Sequence, residues 1–114
     1  MVTEAILWKY HMLKNGAYTV KVRITNYRNV EYINTKLTSL ENHWNALLGL
    51  PTRAHPEFRK LFKRIEDIKE SVEFELKLAK RNHELLSMAE LKQRVEQKDQ
   101  VEISQGAKKA SRIL

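Results

Sequence analysis

The sequence predicts an α+β fold, in which a three-stranded antiparallel sheet packs on a long C-terminal helix that is followed by a shorter helix. Asn15-Gly16 separates two runs of β-type residues, which is the strongest short-range signal for a hairpin. Residues 18–25 alternate between apolar and polar side chains, as in a half-buried strand. From Phe58 onward, apolar residues recur at steps of three and four, the spacing of an amphipathic helix.

The strands follow from the alternation and from the turns that bound it. We expect them over about residues 4–12, 18–26 and 30–35, with the second turn at the asparagine-flanked residues 26–29. In the second strand one face carries Tyr18, Val20, Val22 and Ile24, and the other carries only cations and hydroxyls, namely Thr19, Lys21, Arg23 and Thr25. The apolar face would be buried. An inward-facing Ile33 would place Tyr32 and Asn34 on the polar face.

The segment between the sheet and the long helix is short. Residues 39–44 are expected to form a helical turn capped by Ser39, with Trp44 closing one end of the core. Residues 50–54 would be a connector. Pro56 would take the first position of the long helix, where a proline costs no hydrogen bond.

The long helix is expected to run to about residue 86, with His83 filling one slot of its apolar stripe. Residues 87–90 form a capping-box pattern, which predicts a second helix to about residue 97 with Leu91 and Val95 inward. A second stripe on the long helix implies another helix or a partner beyond the sheet, and it comprises Phe74, Leu78 and Leu85.

The length of 114 residues indicates one domain. The sheet and the helical turn would occupy residues 1–54, and the two helices, in the same domain, would occupy residues 55–98. Weak periodicity over residues 99–114 predicts a mobile tail.

Charge and composition limit the function classes. Lys and Arg number 21 against 14 Asp and Glu, a net charge of +7, which favours a polyanionic partner. The chain has no cysteine, which excludes disulfides and cysteine-zinc sites. Neither a transmembrane run nor a signal-peptide pattern is present in the sequence, so we expect a cytoplasmic protein without membrane contact.

The sequence contains no motif for catalysis or for cofactor binding. Its glycines form no phosphate-binding loop, and they are Gly16, Gly49 and Gly106. Its histidines match no zinc spacing, and they are His11, His43, His55 and His83. We therefore expect no enzyme activity, no cofactor, no metal and no small-molecule substrate.

The candidate binding residues lie on the polar face of the sheet or beside it. They are of the types that contact phosphates and base edges in a DNA groove, and they are Lys9, Lys21, Arg23, Thr25, Arg28, Tyr32 and Asn34. Two alternatives stay open, since a merely solvated face has a similar composition and Arg23 could brace a carboxylate such as Glu31. We interpret Trp8, Tyr10 and Tyr18 as core residues rather than as a platform for single-stranded bases.

The order of these elements resembles the N-terminal arm-type DNA-binding domain of tyrosine recombinases, the phage-integrase family carried by integrative mobile elements. That family commonly has Gly-x-Tyr-x-Ile/Val-x-x-Arg-Ile-Thr, then a turn, an apolar-Ser-Thr-Gly-Ile step and a Trp. The matching positions here are Gly16, Tyr18, Val20, Arg23, Ile24, Thr25, Ile33, Thr35, Leu37 and Trp44. Lys36 stands where the family often has glycine, and Asn34 replaces the usual serine. The resemblance covers about residues 5–98.

The resemblance implies double-stranded DNA binding at arm-type sites of an integrase, through a three-stranded sheet laid against the major groove. The chemistry of DNA integration and recombination belongs, in that family, to a separate C-terminal domain with an Arg, His, Arg and Tyr set. This chain would then be a non-catalytic fragment or a truncated gene product, associated with the bacterial nucleoid. Other recombinase protomers are a further expected partner. The competing hypothesis is a protein-interaction module that uses the apolar stripes of the long helix.

Overall fold

The computed structural model describes residues 2–97. The main sheet has the antiparallel strand order β1-β2-β3, with β1 at Val2–Trp8, β2 at Tyr18–Asn26 and β3 at Asn29–Ser39. The other elements are two short strands, β4 at Trp44–Asn45 and β5 at Leu50–Pro51, and two helices, α1 at Phe58–Arg81 and α2 at residues 88–97. The predicted α+β architecture is confirmed. The predicted tail, residues 99–114, lies outside the described residues.

The connection between β1 and β2 is longer than the sequence predicted. β1 ends at Trp8 rather than at about residue 12, so the loop around the turn predicted at Asn15-Gly16 comprises residues 9–17. The glycine still adopts a φ of +81°, in the left-handed region that favours this residue. The N–H of Leu13 donates to the carbonyl of Ala17 at 2.9 Å. This bond closes the part of the loop nearest to β2, where Ala17 is buried.

The predicted turn at residues 26–29 is confirmed. Asn26 pairs with Asn29, which leaves a two-residue turn between β2 and β3. Tyr27, the first of the two, has a φ of +55°, as hairpin turns of the primed types require at this position. Ile33 of β3 is buried, also as predicted.

β3 continues past its predicted end at residue 35 to Ser39, and the extension contains a bulge. The register shifts at Val20 of β2, and Lys36 on the opposite strand takes a φ of +63°. The buried Thr35 stabilises this bulge. Its Oγ1 donates to the carbonyl of Val20 at 2.7 Å and accepts from the N–H of Leu37 at 3.1 Å.

The helical turn before β4 forms as predicted, but its N-cap residue differs from the predicted one. The helical turn is a 3-10 turn at Glu41–His43, and its N-cap is Leu40. Ser39 is instead the buried last residue of β3, and its hydroxyl donates to the carbonyl of Leu40 at 2.9 Å. Trp44 packs against the core, as predicted. The predicted connector 50–54 begins with β5, which pairs with β4.

α1 begins two residues later than the sequence predicted. Glu57 is its N-cap, so Pro56 lies before the helix rather than at its first position. The buried imidazole of His55 fixes the chain just before α1. Its Nε2 donates to the carbonyl of Thr38 at 2.8 Å, and its Nδ1 accepts from the N–H of Glu57 at 2.9 Å.

α1 ends at residue 81 rather than at residue 86. His83 adopts a φ of +53°, and the N–H of Glu84 donates to the carbonyl of Ala79 at 2.9 Å, which is a Schellman-type helix end. His83 is exposed and fills no slot of the apolar stripe. Leu85 is 99% exposed and lies beyond the helix, so the predicted second stripe is not one continuous helix face.

α2 confirms the predicted second helix. The hydroxyl of Ser87 accepts from the N–H of Glu90 at 3.1 Å, and Leu91 and Val95 are buried. These two side chains join a core cluster from the sheet and α1, which also contains Val22, Ile24, Ile33, Ile68 and Val72. A second cluster contains Ala5, Leu7, Val20, Leu61 and Ile65. Both helices therefore pack on one face of the sheet.

Candidate nucleic-acid interface

The other face of the sheet carries most of the predicted binding residues. Val20, Val22 and Ile24 are fully buried, so the alternating residues of β2 point away from the helices. Directly opposed residues of antiparallel strands share a face. The outer face is therefore formed by Val2, Glu4, Ile6 and Trp8 of β1, Thr19, Lys21, Arg23 and Thr25 of β2, and Val30, Tyr32, Asn34 and Thr38 of β3.

Arg23 is held by a carboxylate on this face. Glu4 lies opposite it on β1, and Arg23 donates to Glu4 Oε1 from Nε at 3.1 Å and also from Nη2. Hydrogen bonding to this carboxylate raises the pKa of Arg23. The partner considered from the sequence, Glu31, instead lies 3.8 Å from the ammonium of Lys92. The outer face thus contains a carboxylate that the alternation within β2 did not predict.

Lys21 contacts an aromatic cluster. Its Nζ lies 3.8 Å from the centroid of the Trp8 ring, in the arrangement of a cation–π contact. The Trp8 ring lies 4.8 Å from that of Tyr10 and 4.9 Å from that of Tyr32. The prediction that Trp8 and Tyr10 belong to the core is wrong, because Trp8 is on the outer face and Tyr10 is 86% exposed. Tyr18 packs against the core, as predicted.

The sequence contained a signal that Glu4 and Trp8 lie on the outer face. A two-residue turn at residues 15–16 would set even-numbered residues of the first strand opposite odd-numbered residues of the second. The observed register keeps that parity, with Glu4 opposite Arg23 and Trp8 opposite Thr19. Both residues could therefore have been assigned to the outer face, even though the loop length was mispredicted.

Lys9 and Arg28 lie at opposite ends of the outer face. Lys9 follows β1, and its ammonium is 3.2 Å from the carboxylate of Glu41, with both side chains largely exposed. Arg28 is exposed in the turn between β2 and β3. Asn34 is exposed on β3, and its Oδ1 accepts from the N–H of Lys36 at 2.7 Å. The structure brings together five of the seven candidates on the outer face itself, namely Lys21, Arg23, Thr25, Tyr32 and Asn34.

Residues 2–97 contain no group of three or more His, Asp or Glu side chains that could hold a metal ion. Within the same range, neither helix combines the length and the apolar character needed to cross a bilayer.

A solvent-facing sheet with cations on it and helices behind it is an architecture of DNA-binding domains that use β-strands. The family model of the arm DNA-binding domain matches residues 6–103, and the chain belongs to this family. The resemblance to the N-terminal arm-type domain of recombinases is thereby confirmed. Such a domain serves DNA binding by integrase-like recombinases and is itself non-catalytic. Comparisons with curated proteins and with solved structures gave no match.

Proposed function

We propose that this chain binds double-stranded DNA at the arm-type sites of a site-specific tyrosine recombinase, with the outer face in the major groove. The observation that carries this proposal is the placement of Lys21, Arg23 and Thr25 on one solvent-facing surface that neither described helix covers. The strand-exchange chemistry would reside elsewhere in the recombinase, and other protomers would be its partners on the DNA of a mobile element. This role would associate the chain with bacterial DNA in the cytoplasm.

The dimensions of the sheet support this placement. Neighbouring strands lie about 4.8 Å apart, so three strands give a ribbon about 10 Å wide between its outer backbones. The major groove is about 12 Å wide. A sheet with α1 and α2 on its back can therefore approach the groove with its outer face toward the base edges.

The charge distribution supports phosphate contacts at the margins of the groove. Lys9 and Arg28 lie beyond the two ends of the outer face, where the phosphate backbones would pass. Phosphate contacts fix the position and orientation of a protein on the duplex, but they do not read the base sequence. The net charge of +7 would add long-range attraction, which weakens as salt is added.

The test is a titration of the 114-residue chain with a labelled duplex selected from a randomised library, followed by fluorescence anisotropy. Replacing Lys21→Ala and Arg23→Ala together should weaken binding by at least about tenfold, since it removes two cations from the proposed interface with a polyanion. The matched control replaces Lys77→Ala and Lys80→Ala, which removes the same charge from exposed positions of α1. Equal losses in the two double variants would contradict binding through the outer face.

A further inference from the structure

The polar groups of the outer face that could recognise purines already have partners in the protein. Arg23 donates twice to Glu4, and the Oδ1 of Asn34 accepts from the N–H of Lys36. Arginine reads guanine with two donors, and asparagine reads adenine with its oxygen and its nitrogen together. The outer face therefore presents no preorganised bidentate contact for either purine at these positions.

The outer face also exposes carbon surface at both of its ends. At one end, Val2 and Val30 are 58% and 42% exposed. At the other end, the Trp8 ring contacts Tyr32 and the adjoining Tyr10. Because these rings hold one another in place, little side-chain freedom remains to be lost on binding.

The Trp8 ring is not arranged as an open stacking platform for bases. The ammonium of Lys21 lies over the face of the Trp8 ring, and the Tyr32 ring meets it at an interplanar angle of 70°. Stacking of a base requires an open ring face. The cluster instead provides apolar surface at one end of the outer face.

The major groove displays one carbon group that distinguishes a base, the C5-methyl of thymine. We propose that the outer face recognises thymine methyl groups, with Trp8 and Tyr32 as the principal contacts. This inference rests on the proposed duplex binding and specifies the base that is recognised. The sites bound by this chain are accordingly rich in A·T pairs where the aromatic cluster meets the groove.

The test compares the selected duplex with the same duplex synthesised with deoxyuridine in place of every thymidine. The replacement removes only the C5-methyl groups and preserves base pairing. Each contacted methyl should contribute about fourfold in affinity, while the salt dependence stays the same because phosphate contacts are retained. Equal affinity for the two duplexes overturns the inference. If that equal binding still depends on salt and on Lys21 and Arg23, the proposed function stands without it.

Substitutions on the outer face test which side chains cause the preference for thymine over uracil. In Trp8→Ala the ratio of thymine to uracil affinity should fall toward one, whereas Tyr32→Phe, which keeps the ring, should retain it. Phe74→Ala is the matched aromatic control, since Phe74 is 52% exposed on α1, and it should also retain the ratio. Circular dichroism checks folding, and Tyr32→Ala serves as the second test if Trp8→Ala unfolds.

Two results would overturn the assignment. A folded Trp8→Ala or Tyr32→Ala variant that keeps the full thymine preference would remove these side chains from the contact. Tighter binding of the single strand than of the duplex would replace both proposals by base stacking.

Discussion

Arg23 and Glu4 lie opposite one another on neighbouring strands, and two nitrogens of the guanidinium donate to the same carboxylate oxygen. The side chains are 36% and 46% exposed, so the pair faces solvent. An exposed ion pair contributes at most about 1 kcal/mol to stability. Its larger consequence is electrostatic, because Glu4 offsets the charge that Arg23 would otherwise present to a phosphate or a base.

Replacing Glu4→Gln should strengthen DNA binding, because it releases Arg23 and removes a negative charge from the outer face. If Arg23 then meets a phosphate, the slope of log affinity against log salt steepens by about one unit. Anisotropy titrations over a range of NaCl concentrations measure both quantities. Glu70→Gln is the matched control, since it removes the same charge from an exposed position on α1. Indistinguishable behaviour of the two variants would place Arg23 outside the interface.

Lys36→Gly should stabilise the fold. Lys36 has a φ of +63° in the β3 bulge. This left-handed backbone conformation costs a residue with a Cβ about 1–2 kcal/mol. Part of the gain is offset by the greater freedom of glycine when unfolded, so we expect a net increase of about 0.5–1 kcal/mol in the free energy of unfolding. Urea denaturation measures it. Lys36→Ala removes the same charge but keeps the strain, and a comparable gain there would refute the conformational explanation.

His55→Ala should destabilise the protein by about 2 kcal/mol, because it leaves a carbonyl and an N–H without their ring partners. The carbonyl belongs to Thr38 and the N–H to Glu57, so the imidazole joins the end of β3 to the start of α1. Urea denaturation gives the change. His11→Ala, at an exposed position in the β1–β2 loop, is expected to stay within about 0.5 kcal/mol. Losses of equal size would mean that the ring contacts of His55 contribute nothing specific.

The pair formed by Glu84 and Arg94 should make stability depend on acid pH. Arg94 donates to the Glu84 carboxylate from Nη1 at 3.2 Å and from Nη2, and this hydrogen bonding lowers the pKa of Glu84. A lowered pKa in the folded state means that the stabilisation is fully present above the ordinary value of 4.5 and is lost as the pH falls through the lowered value.

Thermal unfolding of the wild type and of Glu84→Gln measures this dependence. The difference in Tm should be small, since the pair is exposed, and should vanish as the pH is lowered. In an Arg94→Gln background the Glu84→Gln change should not alter the Tm, whether the pH is above the ordinary pKa of Glu84 or well below it. A difference that persists in acid, or without Arg94, would exclude the ion pair as its source.

The parts of the fold that follow from local periodicity were predictable. Val20, Val22 and Ile24 are fully buried, as alternation required. Leu61, Ile65 and Ile68 belong to the buried stripe of α1, which continues through Val72 and Ala79. The end of α1 was not predictable from that period, because apolar residues continue to residue 86 while the backbone reverses at His83. The second turn was assigned correctly because Asn26 and Asn29 bracket it closely.

The candidate site, like the fold, was predictable in part from the sequence. The sequence by itself determined that Lys21, Arg23 and Thr25 share one face, because side-chain alternation is a property of any extended strand. Only the tertiary structure decided which neighbours these residues meet, with Glu4 beside Arg23 and Trp8 beneath Lys21. Those contacts depend on the register between strands that are distant in sequence, and that register is fixed by the burial of the opposite face of the sheet against both helices.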